Sequence, residues 1–268
     1  MTEISAGMVK ELRELTGLGM MECKKALSES DGDLKKAEEL LRIKSGAKAS
    51  KAASRVAAEG VIGAWVSTDG KQGALVELNC ETDFVARNEA FLAFAGSLAE
   101  TAAKGGELSD SKIEAQRQSL VQKIGENITI RRSKRLQAAG RLALYLHGVK
   151  IGVLVDYDGP EETGKDLAMH IAFARPRYMS KADVAPEIVA QERRIHAARA
   201  RESGKPAEIV ARMVDGAMNK FLGEITLLGQ PFVKDDKQSV EKLLAARKGK
   251  IHAYAFLVVG EGIVKTAS

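Results

Sequence analysis

The sequence predicts an α+β protein of several domains, and three observations carry that reading. Apolar residues recur at helical spacing through the first 43 residues. Two hairpin signals follow, each succeeded by a helical stripe. Two proline-opened helical segments then lie either side of Ser203-Gly204-Lys205. At 268 residues, with 45% hydrophobic and 29% charged, the chain has the composition of an ordinary globular protein and can bury a sizeable core.

In the N-terminal segment Val9, Leu12 and Leu15 make a first stripe, and Thr16-Gly17-Leu18-Gly19 breaks it. Residues 20–27 make a second helix, and Asp31-Gly32-Asp33 opens a third, striped by Leu34, Ala37, Leu40 and Leu41. Three helices in roughly 40 residues form a module near the lower size limit for independent folding. Residues 45–55, small and basic, read as a linker with helical alanines, and a domain boundary is expected there.

Residues 61–66 and 74–78 flank a turn containing Asp69-Gly70, the signal of a β-hairpin. Residues 89–104 and 112–123 return to helical spacing, and 127–137 reads as a strand carrying the basic run Arg131-Arg132-Ser133-Lys134-Arg135. A second hairpin, 141–146 with 150–157, turns at His147-Gly148, and a helix over 163–174 stops at Arg175-Pro176. Residues 186–202 and 206–221 form two helices whose short connection makes them antiparallel neighbours. A helix near 239–247 and a strand over 251–259 close the chain, the strand being expected to rejoin the second hairpin.

Composition and spacing exclude more functions than they select. No apolar run approaches the roughly 20 residues of a membrane span, and residues 1–10 carry no apolar signal core, so a cytoplasmic protein is expected. Cys23 and Cys80 stand far apart and read as reduced core residues. His147, His170, His196 and His252 share no metal-ligand spacing, and neither metal nor cofactor is expected. Residues 159–165 fit G-x-x-x-x-G-K, but Asp166 replaces the hydroxyl a phosphate loop needs, and Glu161 with Glu162 would repel phosphates. The basic run and the cluster Arg193, Arg194, Arg199 and Arg201 have acidic residues among or after them and read as solvated faces. No specific nucleic-acid partner is expected. The segment Asn79-Cys80-Glu81-Thr82-Asp83-Phe84-Val85-Ala86 is different, because a bulky Phe directly follows an Asp at the end of a buried-looking strand. On spacing alone, Asp83 caps a helix and Phe84 enters the core.

Taken together, these segments resemble the bacterial elongation factor Ts family. The resemblance rests, in order, on residues 9–13 with 16–27, Thr82-Asp83-Phe84-Val85-Ala86, Ile124-Gly125-Glu126-Asn127-Ile128 with Arg131-Arg132, His147-Gly148 with 151–155, Ala168-Met169-His170, and 228–233. It implies a ubiquitin-associated-like three-helix domain with its basic linker (1–54) and a core N-subdomain (55–140). A core C-subdomain (141–181 and 229–268) follows, both core units being α+β with antiparallel sheets, and a helical coiled-coil hairpin is inserted at 182–228. Members of that family are guanine nucleotide exchange factors for elongation factor Tu, so the implied partner is elongation factor Tu, GDP-bound or nucleotide-free. The implied action is GDP release without covalent chemistry, by disturbance of the partner's magnesium and phosphate site, after which GTP rebinds.

The matching positions carry the family's contacts residue by residue. Lys10, Arg13, Met20 and Met21 would meet the partner's nucleotide-binding domain; Thr82, Asp83, Phe84 and Val85 would intrude near its magnesium, with Phe84 as a wedge. His147 would reach its third domain, and Gly125 joins the contact set. Self-association through the helical hairpin and a one-to-one complex both remain open. The sequence ends at Val264-Lys265-Thr266-Ala267-Ser268, where many relatives continue into a further C-terminal helix that touches the partner, so that contact is not carried over.

Overall fold

The computed structural model describes residues 4–264. Met1, Thr2 and Glu3, at the start of the segment read for a signal, and the tail residues Lys265 to Ser268 lie outside the described residues. Helix α1 (Ala6–Thr16) opens where the Ser5 hydroxyl accepts the Met8 amide, and it stops at Gly17, whose φ of 68° is left-handed. Helices α2 (Met20–Glu29) and α3 (Leu34–Ala52) complete the module. Val9, Leu12, Leu18, Cys23, Ala26, Leu27, Ala37 and Leu41 form its core. Leu15, expected in the first stripe, is 64% exposed. Steps of three fall behind a 3.6-residue turn, so Leu15 drifts roughly 120° from Val9, and Thr16 takes the inner position instead. Residues 45–52 continue α3, with Ala49 and Ala52 packing into the core of the following layer. The expected linker is therefore a packed helical connection.

Next come β1 (Glu59–Val66), β2 (Gln72–Cys80), α4 (Glu89–Ala103), α5 (Ser111–Ile124) and β3 (Thr129–Gln137). They are followed by β4 (Arg141–His147), β5 (Ile151–Asp158), α6 (Glu161–Ala174), α7 (Pro186–Arg201) and α8 (Ala207–Ile225). The last elements are β6 (Pro231–Phe232), β7 (Asp235–Ser239), α9 (Val240–Ala246) and β8 (Lys250–Val258). Two antiparallel three-stranded sheets result, ordered β1-β2-β3 and β4-β5-β8, so the last strand does rejoin the second hairpin. The β6-β7 ribbon was not legible in the sequence.

Period-two alternation explains how the sheets stack. On β2, Ala74, Val76, Leu78 and Cys80 face Phe91, Phe94, Ala95 and Leu98 of α4, while Leu75 faces the other way. On β5, Val153, Val155 and Tyr157 face Leu167, Ala168 and Ile171 of α6, while Leu154 faces inward. Leu75 and Ile62 meet Leu154, Ala255 and Leu257 between the sheets. The layers thus run α4, first sheet, second sheet, α6. Gly63 permits the first contact, since a Cβ there would sit 2.2 Å from the Ala95 carbonyl oxygen. Helices α7 and α8 form an arm with its own small core of Ala200, Val214 and Met218. Among the described residues no helix is long and apolar enough to cross a membrane.

Two tempting chemistries dissolve in this fold. Lys165, the would-be phosphate lysine, pairs with Glu161 along the surface of α6, and the buried Asp166 carboxylate is held by Lys234 at 2.6 Å and Arg247 at 2.8 Å. His170 is a core residue: Nδ1 accepts the Val233 amide at 3.2 Å, which leaves Nε2–H to donate to Gln230 Oε1 at 3.0 Å. Gln230 in turn donates to the Glu224 carbonyl at 2.8 Å.

Burial holds the His170 imidazole below its ordinary pKa of 6.5. The unfolded chain therefore binds more protons below that value, and stability present above about pH 6.5 declines as the pH falls toward the lowered folded value. Denaturant unfolding between pH 7 and 5 is expected to show that slope, and His170→Gln to flatten it. Equal slopes in both proteins would refute the assignment.

Candidate partner-binding site

Strand β2 ends at Cys80, and the chain leaves it through Glu81-Thr82-Asp83-Phe84 into a 3-10 turn, Val85–Arg87. Val85 and Ala86 are buried anchors in the first core. Asn88 caps α4 by accepting the Ala90 and Phe91 amides. That cap is the position assigned above to Asp83, which instead pairs with Arg87 at 3.3 Å. Phe84 does not enter the core but stands 81% exposed. A short polar turn whose inward positions are filled by Val85 and Ala86 leaves the ring only solvent.

The backbone beneath Phe84 is fastened rather than loose. One oxygen of Glu126 accepts the amides of Glu81 and Thr82 at 2.9 and 3.0 Å, and the other accepts the Thr82 hydroxyl at 2.6 Å. Glu81 answers across the gap, its carboxylate accepting the Asn127 amide at 2.5 Å and Arg55 Nε at 2.9 Å. The Cys80 thiol donates to the Thr82 carbonyl at 3.1 Å. Burial, with the carboxylates of Glu126 and Glu59 nearby, pushes that thiol up to about 12, so it stays protonated and inert. Glu81, Glu126 and Arg55 were not picked out as site residues from sequence. The available signals were that Glu126 lies in the same short motif as Gly125 and that Glu81 lies in the segment 79–86.

Gly125 stops α5 at φ 87°, a left-handed conformation that favours glycine, and its carbonyl accepts Arg55 Nη2 at 2.8 Å. His147 ends β4 at the tip of the second hairpin, exposed, with Nδ1 3.3 Å from the Tyr145 hydroxyl and the two rings stacked at 6.4 Å. Gly148 supplies the positive φ of the turn, 57°. In the module, Met20 and Met21 are 60% and 75% exposed. With Val9, Lys10 and Arg13 they line a groove of about 510 Å³ between α1 and α2. Flexible thioethers beside the cations Lys10, Arg13 and Lys24 suit an adaptable apolar interface with an acidic rim. The expected site residues therefore fall into three patches: Thr82, Asp83, Phe84 and Gly125 around the β2 exit, His147 on its turn, and the methionine groove; Val85, expected beside them, is instead buried in the first core, where it anchors the turn. Among the described residues no cluster of three or more His, Cys, Asp or Glu side chains is placed to hold a metal ion.

The exposed apolar side chains of the two patches, Phe84 at the exit of β2 and Met20 with Met21 in the N-terminal module, sit on a multidomain α+β scaffold. A protein-family model described as Elongation factor TS matches residues 81–261. Proteins named elongation factor Ts from Nitrosospira multiformis, Nitrosomonas eutropha and Chromobacterium violaceum are 59%, 57% and 55% identical to the chain. The alignments cover 99%, 98% and 99% of it and 93%, 94% and 95% of those relatives. The chain belongs to the elongation factor Ts family.

Proposed function

We propose that the chain is the guanine nucleotide exchange factor of elongation factor Tu, binding its GDP-bound form and releasing GDP so that GTP can rebind during translation elongation. Exchange of this kind needs no covalent chemistry. It needs a surface that fits the nucleotide-free partner better than the loaded one, after which linkage makes nucleotide and factor expel one another. The observation that carries the reading is Phe84, 81% exposed on a loop fixed by Glu126. Exposing a phenylalanine on a rigid backbone serves no fold, whereas a rigid apolar wedge transmits its insertion to the phosphate and magnesium contacts it displaces.

Weakening nucleotide affinity about 10⁴-fold takes roughly 5.5 kcal/mol of differential contact. A single buried Phe supplies about 1.5–3 kcal/mol. The methionine groove and the His147 turn therefore act with the wedge, holding the partner while Asp83 and Phe84 disturb its magnesium site. The test is release of a fluorescent GDP analogue from elongation factor Tu, chased with excess unlabelled GDP, with this protein substoichiometric. Accelerated release with many turnovers per molecule is expected. Unchanged release with folded protein and cognate partner would sink the reading.

A further inference from the structure

We propose that Glu126, Glu81 and Arg55 are positioning residues that set the wedge and tie it to the N-terminal module; the inference rests on the exchange reading above. Two loops that are 45 residues apart in sequence exchange carboxylates. Glu126 takes three hydrogen bonds from Glu81 and Thr82, and Glu81 takes the Asn127 amide. Each carboxylate satisfies backbone donors of the opposite loop, so neither loop can shift alone without leaving charge-assisted bonds unmade.

Arg55 adds the third member. Its own amide closes the last turn beyond α3, donating to the Ala52 carbonyl at 3.0 Å. Its guanidinium reaches both loops, Nε to Glu81 at 2.9 Å and Nη2 to the Gly125 carbonyl at 2.8 Å, and its carbonyl accepts Asn127 Nδ2 at 2.7 Å. A guanidinium presents donors in a planar fork, and here the fork spans the Glu81 carboxylate and the Gly125 carbonyl. The helix that carries the methionine-groove module is thereby locked to the backbone from which Phe84 projects. Docking at the groove fixes the direction of the wedge through α3 and Arg55, and Asp83 and Phe84 need no search of their own.

The experiment measures GDP release as a function of this protein's concentration for wild type, Glu126→Gln, Phe84→Ala and the double variant. Losing the charge-assisted bonds of Glu126 is expected to lower the maximal release rate about tenfold, with the half-saturating concentration unchanged. In the Phe84→Ala background Glu126→Gln should cost much less than tenfold, because the residue acts chiefly through the wedge and only the contribution of Asp83 is left to lose. A merely structural role predicts the same fractional loss in both backgrounds, and that result would overturn the proposal. Arg55→Met, at a side chain 48% exposed and therefore safe for folding, should give a smaller loss with the same non-additivity. Amide hydrogen exchange in the free proteins keeps the two readings apart. Glu126→Gln should accelerate exchange at Glu81 and Thr82 whatever the partner does, and unaltered protection there overturns the clasp even if wild-type exchange activity stands. Absence of wild-type activity counts against the exchange reading instead.

Discussion

The Phe84→Ala variant is expected to release GDP from elongation factor Tu about 10- to 100-fold more slowly than wild type, a factor set by the 1.5–3 kcal/mol that one buried Phe can contribute. Its own unfolding free energy should stay within about 0.5 kcal/mol of wild type. The two halves of that statement have one cause. At 81% exposure the ring touches little of its own fold, so truncation leaves no cavity. Whatever it contributes is realised only against a partner, in the state where nucleotide is leaving. Stopped-flow release and denaturant unfolding on one preparation check both halves. A loss approaching 10⁴-fold would mean that Phe84 acts almost alone and that the methionine groove and His147 are idle. An undiminished rate would remove the wedge from the mechanism, leaving docking on the other two patches.

Much of this molecule is legible in its sequence because its elements are strongly periodic. Both hairpins, α4 to α9 and the return of β8 follow from alternation, turn residues and proline. What escapes is whatever depends on distant partners. Residues 45–55 look like a linker because alanine and lysine carry no stripe, yet Ala49 and Ala52 are core residues for a layer that the chain has not reached at that point. Phe84 reads as core because phenylalanine usually is, and only the burial of Val85 and Ala86 shows that the inward positions are taken. The contact set came from family motifs, and no periodicity would have chosen Met20, Met21 or His147. The clasp was invisible for another reason. Its members are 26 and 45 residues apart along the chain, and a lone Glu at each place looks like surface.

The basic run on β3 shows the same limit and gives the other large expected effect: replacing Glu77 by alanine should cost about 3–5 kcal/mol of stability, the range for breaking a buried ion pair from one side. Five residues containing four cations read as a solvated face. Arg131 and Arg132, however, both turn to Glu77, which is fully buried, at 3.0 and 2.5 Å. Successive strand residues should point to opposite faces, and a register shift beside Glu77 explains the exception. Glu77 pairs with Arg132 but Leu78 pairs with Ile130, leaving Arg131 as the extra residue of a bulge. Glu77 also accepts the Gly260 amide at 2.7 Å, while Arg132 binds the Val258 carbonyl and the Glu261 carboxylate. One carboxylate therefore joins β2, β3 and the end of β8. Burial alone would raise its pKa, but the Gly260 amide, Arg132 and Arg131 outweigh that and hold it below the ordinary 4.5. The stabilisation is accordingly present above about pH 4.5 and is lost as the pH falls through the lowered folded value. Because Arg132 keeps Glu261 and both arginines are partly exposed, the cost should lie at the lower end of that range. Urea unfolding of Glu77→Ala and Glu77→Gln at pH 7 and pH 4 tests this: both should be destabilised at pH 7, with the gap to wild type narrowing at pH 4. A gap unchanged with pH would mean that the carboxylate's charge is not what holds the two sheets together.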